Sequence, residues 1–257
     1  MLSYLIKFPI LKRLIPSLSL RILKFFNKNR GFFRVKNLEL FLDFLDPIDR
    51  EIILSQNFEK DEINFLINMI NFYKIKNFLD IGANCGYYSL FVTKNNFKIK
   101  TIAFEPNQEA YYKFSQTLKK NFYLSNRILL HNYGLSNINS KLKIKSFIKH
   151  GYAQTGGSSV EGKFEKNKHK ISLENFFIGD EKLNFKNKTL AIKIDVEGHE
   201  LHVLKGIKKL IKNNKCIIQI EIFRKNFKLV NKFLESKKFK IFYSVNKRSN
   251  FFYKNFI

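Results

Sequence analysis

Three short segments bring together residue types able to do ligand chemistry. In the first, Phe78-Leu79-Asp80-Ile81-Gly82-Ala83-Asn84-Cys85-Gly86, an acid stands at the end of an apolar run and glycines mark the turn beyond it. Glycine tolerates positive φ and lets a ligand approach the backbone, while a helix starting there offers unpaired N–H groups. The spacing is G-x-x-x-G with Asn84 between, not the G-x-G-x-x-G of dinucleotide sites, and Asp80 would repel a phosphate. A cationic ligand suits it better. The second segment, Thr101-Ile102-Ala103-Phe104-Glu105-Pro106-Asn107, sets Glu105 after another apolar run, where one carboxylate can accept both hydroxyls of a ribose. The third, Ile192-Lys193-Ile194-Asp195-Val196-Glu197-Gly198-His199-Glu200, groups acids and a histidine after a third run.

A ligand with a ribose, cationic groups and no phosphate meets these demands, and S-adenosylmethionine is one. The elements that must position the three segments are legible as alternating runs. Ile63, Leu66, Ile67 and Ile70 fall on one helical face before the first strand. Then follow a strand at 76–81, a helix at 87–94, a strand at 100–104, a helix at 107–120 and a strand at 128–132. Leu142 to Ile148 alternates apolar and basic residues, as an edge or antiparallel strand does, and 151–162 reads as a loop, so this stretch is expected to be an insertion. Strand 190–196, helix 199–212, strand 216–223, helix 226–236 and strands near 239–245 and 251–256 complete the pattern. Strands separated by helical lengths imply βαβ units and a parallel sheet. In such a sheet ligands lie outside the carboxyl ends of the strands, so Asp80, Glu105 and Asp195 should share one crevice. In an extended segment Asp195 and Glu197 would face the same side.

FLDIGANCGYYSL, AFEPNQEAY, HNYGLSN, the GGSSV loop, KISLENFF and IKIDVEGHELHVLKGI, in this order, resemble the FkbM-type methyltransferases, S-adenosylmethionine-dependent O-methyltransferases, over residues 40–245. The resemblance implies a class I Rossmann-like α/β fold: a mostly parallel sheet flanked by helices, with a strand and loop insertion before the fourth core strand. It implies that Asp80, Gly82, Asn84 and Gly86 frame the methionine part of the cofactor and Glu105 the ribose, with Asn107 beside it. Residues 132–135, Gly134 and Leu135 among them, would lie by the adenine. The expected acceptor is a hydroxyl of a sugar, a glycan, anionic or lipid-linked, or a related secondary metabolite.

Methyl transfer to an alcohol needs alignment and a base. Asp195, Glu197 and His199 are the catalytic candidates, and His199 is the first choice as base because its unperturbed pKa leaves it neutral and basic near pH 7. Asp195 or Glu197 would orient it or hold the hydroxyl. Such a trio could also hold a hard divalent ion, although no metal is expected. An RNA or other nucleic-acid methyltransferase is the alternative within the same fold. The D/N-P-P-Y-type tetrad of amino-group methylation is absent, since Asp195-Val196-Glu197-Gly198 stands there. Cys85 and Cys216 read as core residues rather than nucleophiles.

The 257 residues, 29 of them Phe and 11 Tyr, argue against disorder. With only 2 Cys the chain lacks a disulfide scaffold or a zinc spacing. It carries 47 basic and 21 acidic residues, a net charge of +26. Lysine is spread along the whole sequence, and the accompanying excess of Asn, Ile and Phe points to base composition as one source, so nucleic acid is disfavoured as substrate. The first acid is Glu39. Residues 1–38 are therefore expected to form a basic, apolar extension, either packed on a single domain at 39–257 or lying on an anionic membrane surface. A non-catalytic membrane-surface binding protein would explain that arm, but not the three acidic segments. No run is long enough to span a bilayer, and no small-residue cleavage site precedes Ala83. A cytoplasmic protein, peripheral at most, is expected.

Overall fold

The computed structural model describes residues 19, 21, 28–149, 152–160, 168–245 and 249–257. Most of the expected basic arm and both ends of the expected loop at 151–162 lie outside the described residues.

In chain order the elements are β1 (Arg30–Val35), β2 (Leu38–Asp43), α1 (Pro47–Ser55), α2 (Lys60–Phe72), β3 (Asn77–Ile81), α3 (Tyr87–Asn95), β4 (Lys100–Phe104), α4 (Gln108–Lys120), α5 (Phe122–Ser125) and β5 (Ile128–His131). There follow β6 (Gly134–Ser136), β7 (Ser140–Lys149), β8 (Tyr152–Ala153), β9 (His169–Ile178) and α6 (Gly179–Lys182). The chain ends with β10 (Thr189–Ile194), α7 (Glu200–Gly206), α8 (Lys208–Lys212), β11 (Lys215–Glu221), α9 (Phe227–Ser236), β12 (Lys240–Val245) and β13 (Asn250–Lys254).

Seven strands form the central sheet in the order β12-β13-β11-β10-β3-β4-β5. β11, β10, β3, β4 and β5 run parallel, and β13 is antiparallel to both its neighbours. Strands β3, β4 and β5 build outward on one side, and β10 returns to pair on the other side of β3. The direction of winding reverses there, at the place where such sheets open a crevice. The pleat divides the core in two: Phe78, Ala191 and Ile217 join the helices over one face, whereas Leu79, Ile81, Ile192 and Ile218 pack with Val203 and Leu234 on the other.

The helices start where side chains can cap them. Asn107 accepts the N–H groups of Glu109 and Ala110 at the head of α4, and Asp46 accepts that of Ile48 ahead of Pro47 in α1. The single helix expected over 199–212 is two. The break falls at Ile207 (φ −109°), just after Gly206, which packs on β6 so closely that an added Cβ would sit 1.9 Å from the Ser136 carbonyl oxygen. Strands β6, β9, β7 and β8 form a separate four-stranded sheet in that order, before β10, as the insertion was expected to lie. The loop expected at 151–162 contains the short strand β8.

The β1–β2 hairpin crosses the boundary expected after residue 38. Val35, Leu38, Leu40 and Leu42 are buried in the first core layer, and the Phe41 N–H donates to Thr117 on α4. The body of the fold therefore includes residues from Arg30 onward. No described helix is long and apolar enough to cross a membrane.

Candidate active site

The turn after β3 is held from both sides. The N–H groups of Gly82 and Ala83 donate to the Phe104 carbonyl at 3.0 and 3.1 Å, and the Asp195 N–H donates to the Ile81 carbonyl at 3.0 Å. Gly82 has φ +82°, and a Cβ there would lie 1.9 Å from the Asp195 carbonyl oxygen, so only glycine lets β3 and β10 close up. Asn84 adopts φ 49°, a conformation asparagine tolerates. Its N–H donates to Glu105 Oε2, and that of Asn107 to Oε1, each at 2.8 Å. Burial pushes the Glu105 carboxyl up to about 7 against these two hydrogen bonds.

Gly82, Asn84, Glu105, Asn107, Gly134 and Leu135 line one cleft with Asp195, Glu197 and His199. Two residues expected at the ligand do not line it. Asp80 shares the face of β3 that carries Phe78 and is fully buried; Oδ2 accepts the Ser89 hydroxyl at 2.6 Å, and Oδ1 has no partner among the described residues. Burial raises its pKa, with Lys193 opposing. Asp80 thus braces α3 against the sheet. Gly86 caps α3 with φ +84°, beneath the Phe114 ring.

The segment after β10 is not extended. Glu197 takes φ 50° and Gly198 φ 106°, which turns the chain into α7. The Asp195 carboxylate receives the Lys193 ammonium at 3.0 Å, while Glu197 accepts the Gly157 N–H and is lifted to about 7 by burial and by Asp195. His199 is buried, its Nε2 lies 2.9 Å from the Ser136 hydroxyl, and its ring stacks on His202. Burial, then His202, pushes it down to about 4. An imidazole so hard to protonate is a weaker proton acceptor than the unperturbed pKa behind the first choice implies. Among the described residues no trio of His, Cys, Asp or Glu is arranged to hold a metal ion. Cys85 and Cys216 are buried thiols with raised pKa, Cys216 to about 12.

Gly156, Gly157 and Ser158, of the loop that from its sequence could close over the acceptor, line the cleft, but the residues that anchor this loop carry no sequence signal. The strap after β8 is anchored by Thr155, whose N–H and hydroxyl both donate to Asp46 Oδ2, at 2.8 and 2.7 Å. Lys113 of α4 donates to the same hydroxyl at 2.9 Å and to Asp49 Oδ2 at 2.6 Å. Gly156 lies on Ile48, and Phe176 of β9 covers Gly134, where a Cβ would meet its ring at 2.3 Å. These partners lie far apart in sequence and form no motif.

Residues 80–241 match the sequence profile of the methyltransferase FkbM domain. The chain belongs to the FkbM methyltransferase family. Among solved structures it is similar to a methyltransferase FkbM from Methylobacillus flagellatus KT, at 18% identity and a TM-score of 0.48, over 70% of this chain and 43% of that one. It thus spans less than half the length of that relative. It is also similar to the METTL16 methyltransferase domain, at 10% identity and a TM-score of 0.50, over 95% and 96% of the two chains. The magnesium protoporphyrin IX methyltransferase of Synechocystis PCC 6803, solved with bound S-adenosylmethionine, aligns at 9% identity and a TM-score of 0.47, over 81% of this chain and 82% of that one. No curated protein matches. The fold is that of the class I methyltransferases, and the cofactor of this FkbM protein is S-adenosylmethionine. The residues lining its cleft fit that molecule: Glu105 would offer a carboxylate to ribose hydroxyls, and Asp195 and Glu197 would offer negative charge to a sulfonium, beside a glycine turn that closes on the Asp195 carbonyl.

Proposed function

We propose that the protein transfers a methyl group to a hydroxyl of a glycan or related polyhydroxylated acceptor, with Glu197 as the base. Bound S-adenosylmethionine supplies an electrophilic methyl on sulfonium, so that the acceptor oxygen gains a C–O bond as the C–S bond breaks, leaving S-adenosylhomocysteine and a methyl ether. Glu197 accepts the hydroxyl proton. The observation that carries this reading is the placement of Glu197: it lines the cleft on a left-handed turn and holds its proton up to about 7. A carboxyl poised there is about half ionised at neutral pH, and its ionised form is basic enough to accept a proton in the transition state. Lys193 holds Asp195 beside it, which keeps a second negative charge fixed at the cleft. Asp195-Val196-Glu197-Gly198 lacks the prolines and aromatic residue of an amino-methylating tetrad, which favours oxygen as the acceptor atom. The net charge of +26 suits an acceptor carrying carboxylate or phosphate elsewhere in its structure.

The test is methyl transfer from labelled S-adenosylmethionine to a panel of glycans, glycolipids and RNA. Labelled methyl ether on a carbohydrate, lost in Glu197→Gln and kept in His199→Gln, is the expected result. Label on RNA nitrogen would overturn the acceptor, and an active Glu197→Gln the base.

A further inference from the structure

Beside the cofactor cleft, on the other side of the strap, lies a groove of about 500 Å³ between the inner face of the insertion sheet and the start of α4. This is the size of small-molecule sites, ~300–1,000 Å³. Asn107 and Thr155 line both spaces. A row of hydrogen bonds divides them: the Ser146 and Ser158 hydroxyls are 2.8 Å apart, and Asn107 Nδ2 donates to them at 3.3 and 3.4 Å.

The groove wall holds polar groups that the fold leaves unsatisfied. Glu174 of β9 is only 5% exposed, yet its Oε1 has no hydrogen-bond partner among the described residues. The Tyr152 hydroxyl of β8 is likewise buried and without a partner among them. Both residues line the groove, with Ser172 and Lys170 on the same face of β9. A buried carboxylate oxygen and a buried phenol left unpaired cost free energy in the empty protein, and such groups need a reason to persist. Their chemistry specifies what would satisfy them. Glu174 asks for a donor, and Tyr152 both donates and accepts. Glu109, at the rim, already engages Arg30 at 2.6 Å. With Glu109 engaged by Arg30, the charges left on the groove wall are one carboxylate, Glu174, and one ammonium, Lys170. Such a wall has no cluster of cations for a phosphate and suits rings bearing several hydroxyl or amino groups.

We infer that this groove holds the hydroxyl-rich body of the acceptor, with Glu174 and Tyr152 binding sugar hydroxyls while the reacting hydroxyl passes the Asn107–Ser158 row into the cleft. The assignment rests on the acceptor class proposed above and specifies where that class is recognised.

The test uses the full chain with S-adenosylhomocysteine on an array of immobilised neutral, amino and uronic-acid oligosaccharides, alongside Glu174→Gln and Tyr152→Phe. Calorimetric titration with S-adenosylhomocysteine runs in parallel, because neither residue lines the cofactor cleft. The expected result is retention of at least one oligosaccharide class by the wild type, weakened at least tenfold in each variant, with cofactor-product affinity within twofold of wild type. Tyr152→Phe removes one oxygen and guards against misfolding of the other variant. Equal retention by all three proteins overturns the groove, and so does a wild type that binds S-adenosylhomocysteine but no oligosaccharide. Failure to bind S-adenosylhomocysteine strikes instead at the transferase reading, and the array still decides the groove.

Discussion

Lys113 Nζ lies 2.6 Å from Asp49 Oδ2, and neither side chain is exposed to solvent. Burial disfavours the Lys113 ammonium, yet Asp49 and Asp46 hold its pKa above the ordinary value. The same ammonium donates to Thr155, so this buried charge connects α4, α1 and the strap over the cleft. Lys113→Met should remove the cation and leave Asp46 and Asp49 buried without one, destabilising the fold by about 3–5 kcal/mol. Chemical denaturation measures this. Combining Lys113→Met with Asp49→Asn should recover part of the loss, and a double variant as weak as the sum of the two singles would refute the coupling.

Glu197→Gln should lower kcat by about 10²–10⁴. The wild-type rate should rise with pH through an apparent pKa of about 7, since the base must be ionised. His199→Gln should keep most of the rate, because an imidazole pushed down to about 4 contributes little as a proton acceptor. A pH profile that moves in His199→Gln and stays in place in the Glu197 variant would reverse the roles.

Glu105→Ala should weaken S-adenosylhomocysteine binding by roughly 1.5–3 kcal/mol, the worth of a charge-assisted hydrogen bond. Ribose hydroxyls donate to the ionised carboxylate, and the Glu105 pKa stands at about 7, so wild-type affinity should increase as pH rises through neutrality. Titration calorimetry at about pH 6 and about pH 8 reads both effects.

Gly82→Ala should be inactive for a backbone reason. The alanine Cβ would meet the Asp195 carbonyl at 1.9 Å while φ stays positive. Strain of about 1–3 kcal/mol should appear as a lower melting temperature, together with lost cofactor affinity. Unchanged melting and binding would mean that the strand crossing is looser than the geometry implies.

Stability of the cofactor-free protein should fall as pH rises from about 4.3 to about 7. Burial lifts the carboxyl groups of Glu105, Glu197 and Glu221 to about 7 in the folded state, against about 4.3 when unfolded. Between those values the native state binds more protons, so stability is greatest at the acid end of the window. Glu105→Gln should flatten part of the slope. A melting temperature that climbs steadily with pH over this range would contradict the assignment.

The parallel sheet was legible because its strands are buried on both faces and read as continuous apolar runs, as in LAIKI and CIIQI. The glycine turn and Glu105 were legible for a related reason, since their conformational and charge demands are local. Asp80 was misplaced because a strand-end acid can point to either face, and the pleat aligns it with Phe78 toward α3. The environment of His199 was not legible, because burial against Ser136 and His202 is a tertiary fact. The β1–β2 hairpin was hidden by the basic charge of the segment it belongs to. Thr155, Asp46 and Lys113 come from three distant segments whose residue types carry no signal until the fold brings them together.

The crossing of β3 and β10 also bears on how the protein is made. Gly82 and Asp195 come from opposite halves of the chain, and the insertion sheet must be synthesised between them. A contact of such long range is slow to form, because loop closure is opposed by entropy before any packing offsets it. A nascent chain that ends before Thr189 has the glycine turn and Glu105 but no second wall for the crevice. Both walls of the crevice therefore exist only after β10 has been made, and a cofactor that binds them favours states with β3 and β10 joined by mass action.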